Sequence, residues 1–199
     1  MIDETEAFIK GNNIITFMRS EEDKVLEAFF SIPKYWHFAQ LQKETKLSKP
    51  SLSRWLGKFI KLGLIKKMKP RGKAPYYIGM EENPEFLSKK RLHAMKLLTD
   101  SGLVSHLSTL KGAKVVILFG SFSRADWYKE SDIDIFIFGK DDDFDQYKYQ
   151  DKLHRHIEVH LAKNESDLKR IDKMIPYIIA GDFIKGSIED LGVKIEAAI

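Results

Sequence analysis

Two aspartates one residue apart, Asp132 and Asp134, open the apolar run that ends at Phe138, and ten residues separate Asp132 from Gly120-Ser121, which closes the apolar run Val115–Phe119. Both runs are short and rich in β-branched and aromatic residues, as buried strands are. Side chains alternate faces along a strand, so Asp132 and Asp134 point one way and Ile133 the other. Two carboxylates on one face make an oxygen-rich site suited to Mg²⁺ or Mn²⁺. At a strand-to-helix turn, Gly120 lets backbone N–H groups come close to a phosphate, and the Ser121 hydroxyl adds a donor.

Further strands and helices must hold these groups in place. His156-Ile157-Glu158-Val159-His160-Leu161 alternates polar and apolar, as a half-buried strand does, and puts Glu158 on one face with His156 and His160. Each histidine, like His154, reads as an ordinary residue. The acidic run KDDDFD after the second apolar strand lacks the glycine and closing glutamate of a calcium loop and reads as a solvated turn, followed by a helix over Asp145–Leu153. Ser166-Asp167 is expected to cap a final helical region, broken at Pro176, Gly181 and Gly186, that covers the sheet.

Written out, the pattern is G-S-x10-D-x-D, and it resembles the signature of the minimal nucleotidyltransferases of the DNA polymerase β superfamily. Arg124-Ala125 and Ser131 agree with the flanking letters of that family, and the resemblance covers roughly residues 103 to 190. It implies catalytic, metal-binding roles for Asp132, Asp134 and Glu158, although the third acid of the family is often aspartate and glutamate is one methylene longer. It further implies nucleotide contacts from Gly120, Ser121, Arg124 and Ser131, a Mg²⁺ or Mn²⁺ cofactor, and a nucleoside triphosphate substrate, ATP first among them. By the same resemblance, small enzymes of this kind transfer AMP to a protein or a small molecule, in some cases to a HEPN-domain partner.

The N-terminal half has a different character. Between Lys43 and Lys73 stand eleven basic residues against one acid, Glu44, whereas from Lys111 onward seventeen acids face fourteen bases. A basic block beside a mildly acidic half suggests two modules, one facing a polyanion. Ser20 with three following acids starts a helix, with Val25, Leu26, Phe29 and Phe30 as its apolar stripe. A short helix over Phe38–Thr45 and a third begun by Ser48-Lys49-Pro50 follow, the last with Leu52, Leu56, Phe59 and Ile60 toward the core. Gly63 ends it, and two short strands flank the turn Pro70-Arg71-Gly72-Lys73.

This order resembles a winged helix-turn-helix domain. The resemblance implies a duplex-DNA partner met by Lys49, Ser51, Arg54, Lys58 and Lys61 on the third helix and by Lys69, Arg71 and Lys73 on the wing. A turn at Gly11-Asn12-Asn13 and a short strand over Ile14–Phe17 are expected upstream.

The expected architecture is therefore α/β of the α+β kind: a winged helix over residues 1–82, linking helices over 83–110, and a nucleotidyltransferase domain over 111–199 with a small mixed sheet flanked by helices. No apolar run approaches the ~20 residues a membrane-spanning helix needs, and the acidic N-terminus lacks a signal-peptide pattern, so the expected place is the cytoplasm. Without cysteine any metal must sit on carboxylates or histidine. Homodimer formation is compatible with this reading. The competing function is a DNA-binding regulator whose nucleotidyltransferase fold senses nucleotide or is inactive.

Overall fold

The computed structural model describes residues 20–32 and 35–192. The turn expected at Gly11-Asn12-Asn13 and the strand expected over Ile14–Phe17 lie outside the described residues. Helix α1 (Glu21–Ser31) begins at Ser20, whose hydroxyl accepts from Asp23 N at 3.1 Å while the Asp23 carboxylate accepts from Ser20 N at 3.3 Å. Two free N–H groups are thereby satisfied reciprocally. Helix α2 (Phe38–Thr45) follows, then α3 (Lys49–Lys61), capped by Ser48 with Pro50 in its first turn.

Leu52, Leu56 and Phe59 are buried on α3, but Ile60, expected beside them, is 39% exposed. It lies one position past the 52-56-59 stripe, and half-buried Trp55 takes the place next to α1. Strands β1 (Ile65–Met68) and β2 (Tyr76–Gly79) form an antiparallel hairpin. Trp36 adds a one-residue bridge to Tyr77, with both N–H···O distances 2.8 Å. A single residue has no periodicity, so nothing in the sequence marks it.

Helix α4 (Pro84–Asp100) is capped by Asn83, whose side chain also donates to Gly63 O at 2.9 Å and ties the helix start to the end of α3. It packs in two directions. Phe86 meets Phe30 of α1 edge-on at 5.1 Å, and the Lys90 ammonium, 2% exposed, lies over the rings of Trp127 at 5.2 Å and Tyr128 at 4.8 Å. Burial pushes the Lys90 pKa down, against the opposing pull of Glu81 and Asp126. Leu92, one of the apolar positions of this helix, faces solvent. Helix α5 (Leu103–Thr109) leads into the sheet.

Four strands make that sheet: β3 (Ala113–Phe119), β4 (Ile133–Gly139), β5 (Ile157–Ala162) and β6 (Asp182–Lys185), in the order β5-β4-β3-β6. β4 and β5 run parallel, and the other two pairings are antiparallel. Between the strands lie α6 (Gly120–Arg124), α7 (Gln146–Leu153), α8 (Glu165–Arg170) and α9 (Ile175–Ile179), and a 3-10 turn over Glu189–Leu191 follows β6. Two expectations are corrected here. The cap of α8 is Asn164, which accepts from Ser166 N and Asp167 N, because its side chain reaches both free donors from the residue before the helix. The final region also contains β6, an edge strand of four residues, too short for its alternation to stand out between Gly181 and Gly186.

Alternation along β3 and β4 divides the apolar side chains between two faces. Val116, Leu118, Ile133, Ile135 and Ile137 join one continuous cluster that also includes Phe30, Phe59, Phe86 and Trp127. Val115, Ile117, Phe119, Phe136 and Phe138 pack with Leu168 and Ile178 on the other face. The helical N-terminal part and the sheet thus share one core, with α4 between them. No helix among the described residues is long and apolar enough to cross a membrane.

Candidate active site

The turn from β3 into α6 falls at Gly120, as its sequence context predicts, with φ at 72°. That left-handed conformation suits glycine, and the space does too, for a Cβ there would sit 2.0 Å from Asp134 Oδ2. Backbone of the turn therefore lies directly against a carboxylate of the neighbouring strand. Ser121 is half-buried in the first turn of α6.

Pairing fixes the carboxylates. Phe119 stands opposite Asp134 across β3 and β4, and the parallel register of β4 and β5 puts Asp134 beside Glu158 and Phe136 beside His160. One oxygen of Asp134, one of Glu158 and one ring nitrogen of His160 all lie within 4.8 Å of one another. His160 Nε2 is 3.5 Å from Glu158 Oε1, and its ring packs edge-on against Phe119 at 5.2 Å. Asp132, exposed at the entrance to β4, stands outside this cluster. Its charge still acts on Asp134, whose pKa is raised by partial burial first, then by Glu158 and Asp132, against the opposing His160 and Arg124. Two strand carboxylates that repel each other, with an imidazole beside them, form a donor set that fits a divalent cation.

The remaining expected nucleotide contacts have partners within the protein. Arg124, exposed at the end of α6, binds the Asp126 carboxylate through Nε at 3.0 Å. Ser131 Oγ accepts from Tyr128 N at 2.8 Å and closes the turn that leads to Asp132. Arg155 holds the same turn from the connection between α7 and β5, donating to the carbonyls of Tyr128 at 2.8 Å, Lys129 at 2.5 Å and Ser131 at 3.2 Å. Its guanidinium also lies over Phe122 and Trp127. Lys129 N donates to Ser31 O of α1 at 2.8 Å, so the turn before Asp132 is tied to the helical half as well.

Sequence reasoning passed over His160 and Arg155. The alternation that placed Glu158 on the site face placed His160 there too; nothing local marks Arg155, whose partners lie more than twenty residues away.

On the basic half, the expected contact residues divide. Ser51 Oγ donates to Glu21 at 2.5 Å, Arg54 at 2.9 Å and Trp55 Nε1 at 3.0 Å, and Lys58 pairs with Glu22 at 3.3 Å. The Ser51 hydrogen bond, then Trp55 and Arg54, hold the Glu21 carboxyl below its ordinary range. The middle of the α3 face is thus partly neutralised by the acids that start α1. Lys49, Lys61 and the turn residues Lys69, Arg71 and Lys73 are exposed.

No curated protein and no solved structure matches the chain. The resemblance carried by Gly120, Ser121, Asp132 and Asp134 has a counterpart at the level of a domain: residues 101–195 match the family described as the nucleotidyltransferase domain.

Proposed function

We propose that the protein is a metal-dependent nucleotidyltransferase that moves a nucleoside monophosphate, AMP in the first instance, from a triphosphate to a hydroxyl of a protein or small molecule. The observation that carries this reading is the register that seats Glu158 beside Asp134, against the backbone turn at Gly120. A cation bound by these carboxylates supplies charge neutralisation for the phosphates and for the leaving pyrophosphate. The turn at Gly120 and the Ser121 hydroxyl offer hydrogen-bond donors to phosphate oxygens. Asp134, with Asp132 near it, would hold the cation at the triphosphate end, and Arg155 keeps the turn before Asp132 in position. Glu158 accepts the proton of the attacking hydroxyl as its oxygen bonds to the α-phosphorus and the bond to the bridging oxygen of pyrophosphate breaks. In such a transfer positioning and electrostatics provide most of the acceleration.

Incubation of the protein with each α-labelled triphosphate, Mg²⁺ or Mn²⁺, and a lysate of its source tests the reading. Label transferred to a protein or metabolite, with ATP the best donor, is the expected result. Absence of transfer and of metal-dependent triphosphate binding would overturn it. Gly120→Ala adds a sharper check: a Cβ in contact with Asp134 Oδ2 displaces that carboxylate, and a misplacement of about 1 Å lowers turnover about 10²-fold. A HEPN-domain protein is the acceptor class to try first.

The helical half, read as a winged helix-turn-helix, is proposed to bind duplex DNA, with the hairpin turn contributing more than the middle of α3. The engagement of Ser51, Arg54 and Lys58 by Glu21 and Glu22 favours that division. Affinity is expected to fall steeply with salt, and the triple change of Lys69, Arg71 and Lys73 to Ala is expected to reduce the log–log slope by up to about 0.9 per lost phosphate contact. Fluorescence anisotropy across a salt series measures it. Binding absent at low salt for specific and random duplexes alike would turn the assignment toward a protein-docking surface. The same experiment addresses the second reading, a DNA-bound regulator that senses nucleotide without transferring it.

A further inference from the structure

Resting on the metal-dependent reading above, we infer that His160 is itself a metal ligand and that, with Asp134 and Glu158, it makes a site that prefers Mn²⁺ to Mg²⁺. The three side chains come from adjacent parallel strands and share one face. Such strands hold donor atoms more rigidly than loops do. His160 is half-buried, and its ring is held edge-on by Phe119. Its Nε2 lies 3.5 Å from Glu158 Oε1. That is longer than the roughly 2.7–3.2 Å of an ordinary N–H···O hydrogen bond. It lies about 0.1 Å beyond the separation of two donor atoms sharing one ion, because ligands about 2.1 Å from a metal at octahedral to tetrahedral angles are about 3.0–3.4 Å apart, so a small side-chain shift lets both reach one cation.

Donor chemistry then selects the ion. Mg²⁺ takes oxygen ligands in a nearly ideal octahedron and gives up water reluctantly, whereas a first-row transition ion accepts imidazole nitrogen together with carboxylates. Two carboxylates and a neutral imidazole also balance a dication without excess charge. Asp132 stands outside this donor set.

The test uses the full chain and one equivalent of Mn²⁺. Electron spin echo modulation is expected to show a directly bound ¹⁴N nucleus in the wild type and none in His160→Phe, which keeps a ring against Phe119 but lacks the nitrogen. By calorimetry, Mn²⁺ is expected to bind at least about tenfold tighter than Mg²⁺ in the wild type and to within about twofold of it in the variant. The wild-type spectrum stands even if the variant fails to fold. Bound Mn²⁺ without nitrogen coupling, or coupling that persists in folded His160→Phe, overturns the role of His160 and leaves the carboxylate site intact. No bound cation at all overturns the metal-dependent reading too.

Discussion

Asp134→Asn is expected to lower nucleotidyl transfer by roughly 10³-fold, since loss of one metal-binding carboxylate forfeits several kcal/mol of charge stabilisation at the reacting phosphate. The same change is expected to make the metal-free protein more stable at neutral pH. Asp134 holds its proton more tightly in the folded chain, because it is partly buried, stands beside Glu158 and feels the more distant charge of Asp132. A carboxyl with a raised native pKa contributes stability fully below its unfolded value, and that contribution is lost as pH rises through the native value. Asparagine carries no charge to bury, so the melting temperature of the variant should exceed that of the wild type at pH 7, and the difference should close as pH falls toward the ordinary Asp value of 3.8. Thermal melts over pH, beside assays of transfer, measure both effects. A variant less stable than the wild type at neutral pH would mean that Asp134 is held by favourable contacts and not by the repulsive site described here.

The spacing of Gly120, Ser121, Asp132 and Asp134 was legible because each is a local requirement: a glycine where φ is positive, and carboxylates on alternate positions of a strand. The same local logic marked the caps at Ser20 and Ser48 and the core stripe of α3. What escaped depends on neighbours distant in sequence. That Asp134 and Glu158 meet, while Asp132 stands apart, follows from the register of β4 against β5, which no single strand contains. His160 was visible as an alternating residue but acquires its meaning only from Phe119 across the sheet. Burial of Lys90 under Trp127 and Tyr128 arises because α4 lies between the helical half and the sheet, and nothing in the local sequence marks it. On the basic half, composition revealed the charge of α3, but its partial neutralisation came from Glu21 and Glu22 of a helix thirty residues earlier. Fold class was therefore open to inspection of the chain, and the internal electrostatics of the two surfaces was not.

Glu158 separates an enzyme from a sensor. If its carboxylate takes the proton of the attacking hydroxyl, its charge matters most as the oxygen bonds to phosphorus. Glu158→Gln should then lower transfer at saturating triphosphate by about 10²-fold or more, over and above the weaker metal–triphosphate binding that loss of a ligand brings. Glutamine keeps the size of the side chain and its exposed place on β5, so the fold gives no reason for such a loss. Glu158→Asp is the complementary change. The carboxylate survives one methylene nearer the strand, where the resembled family often has it, so transfer should be retained or increased. A nucleotide sensor requires neither result: its triphosphate binding, and any effect of nucleotide on DNA affinity, would be the same in Glu158→Gln as in the wild type, and no acceptor would become labelled. Equal transfer by wild type and Glu158→Gln would remove the proton-accepting role and leave Glu158 as at most a ligand beside Asp134. Single-turnover measurements of labelled transfer by the three proteins, with triphosphate affinity measured in parallel, distinguish these outcomes, because a ligand role weakens binding of the metal–triphosphate complex while a proton-accepting role slows the chemical step alone.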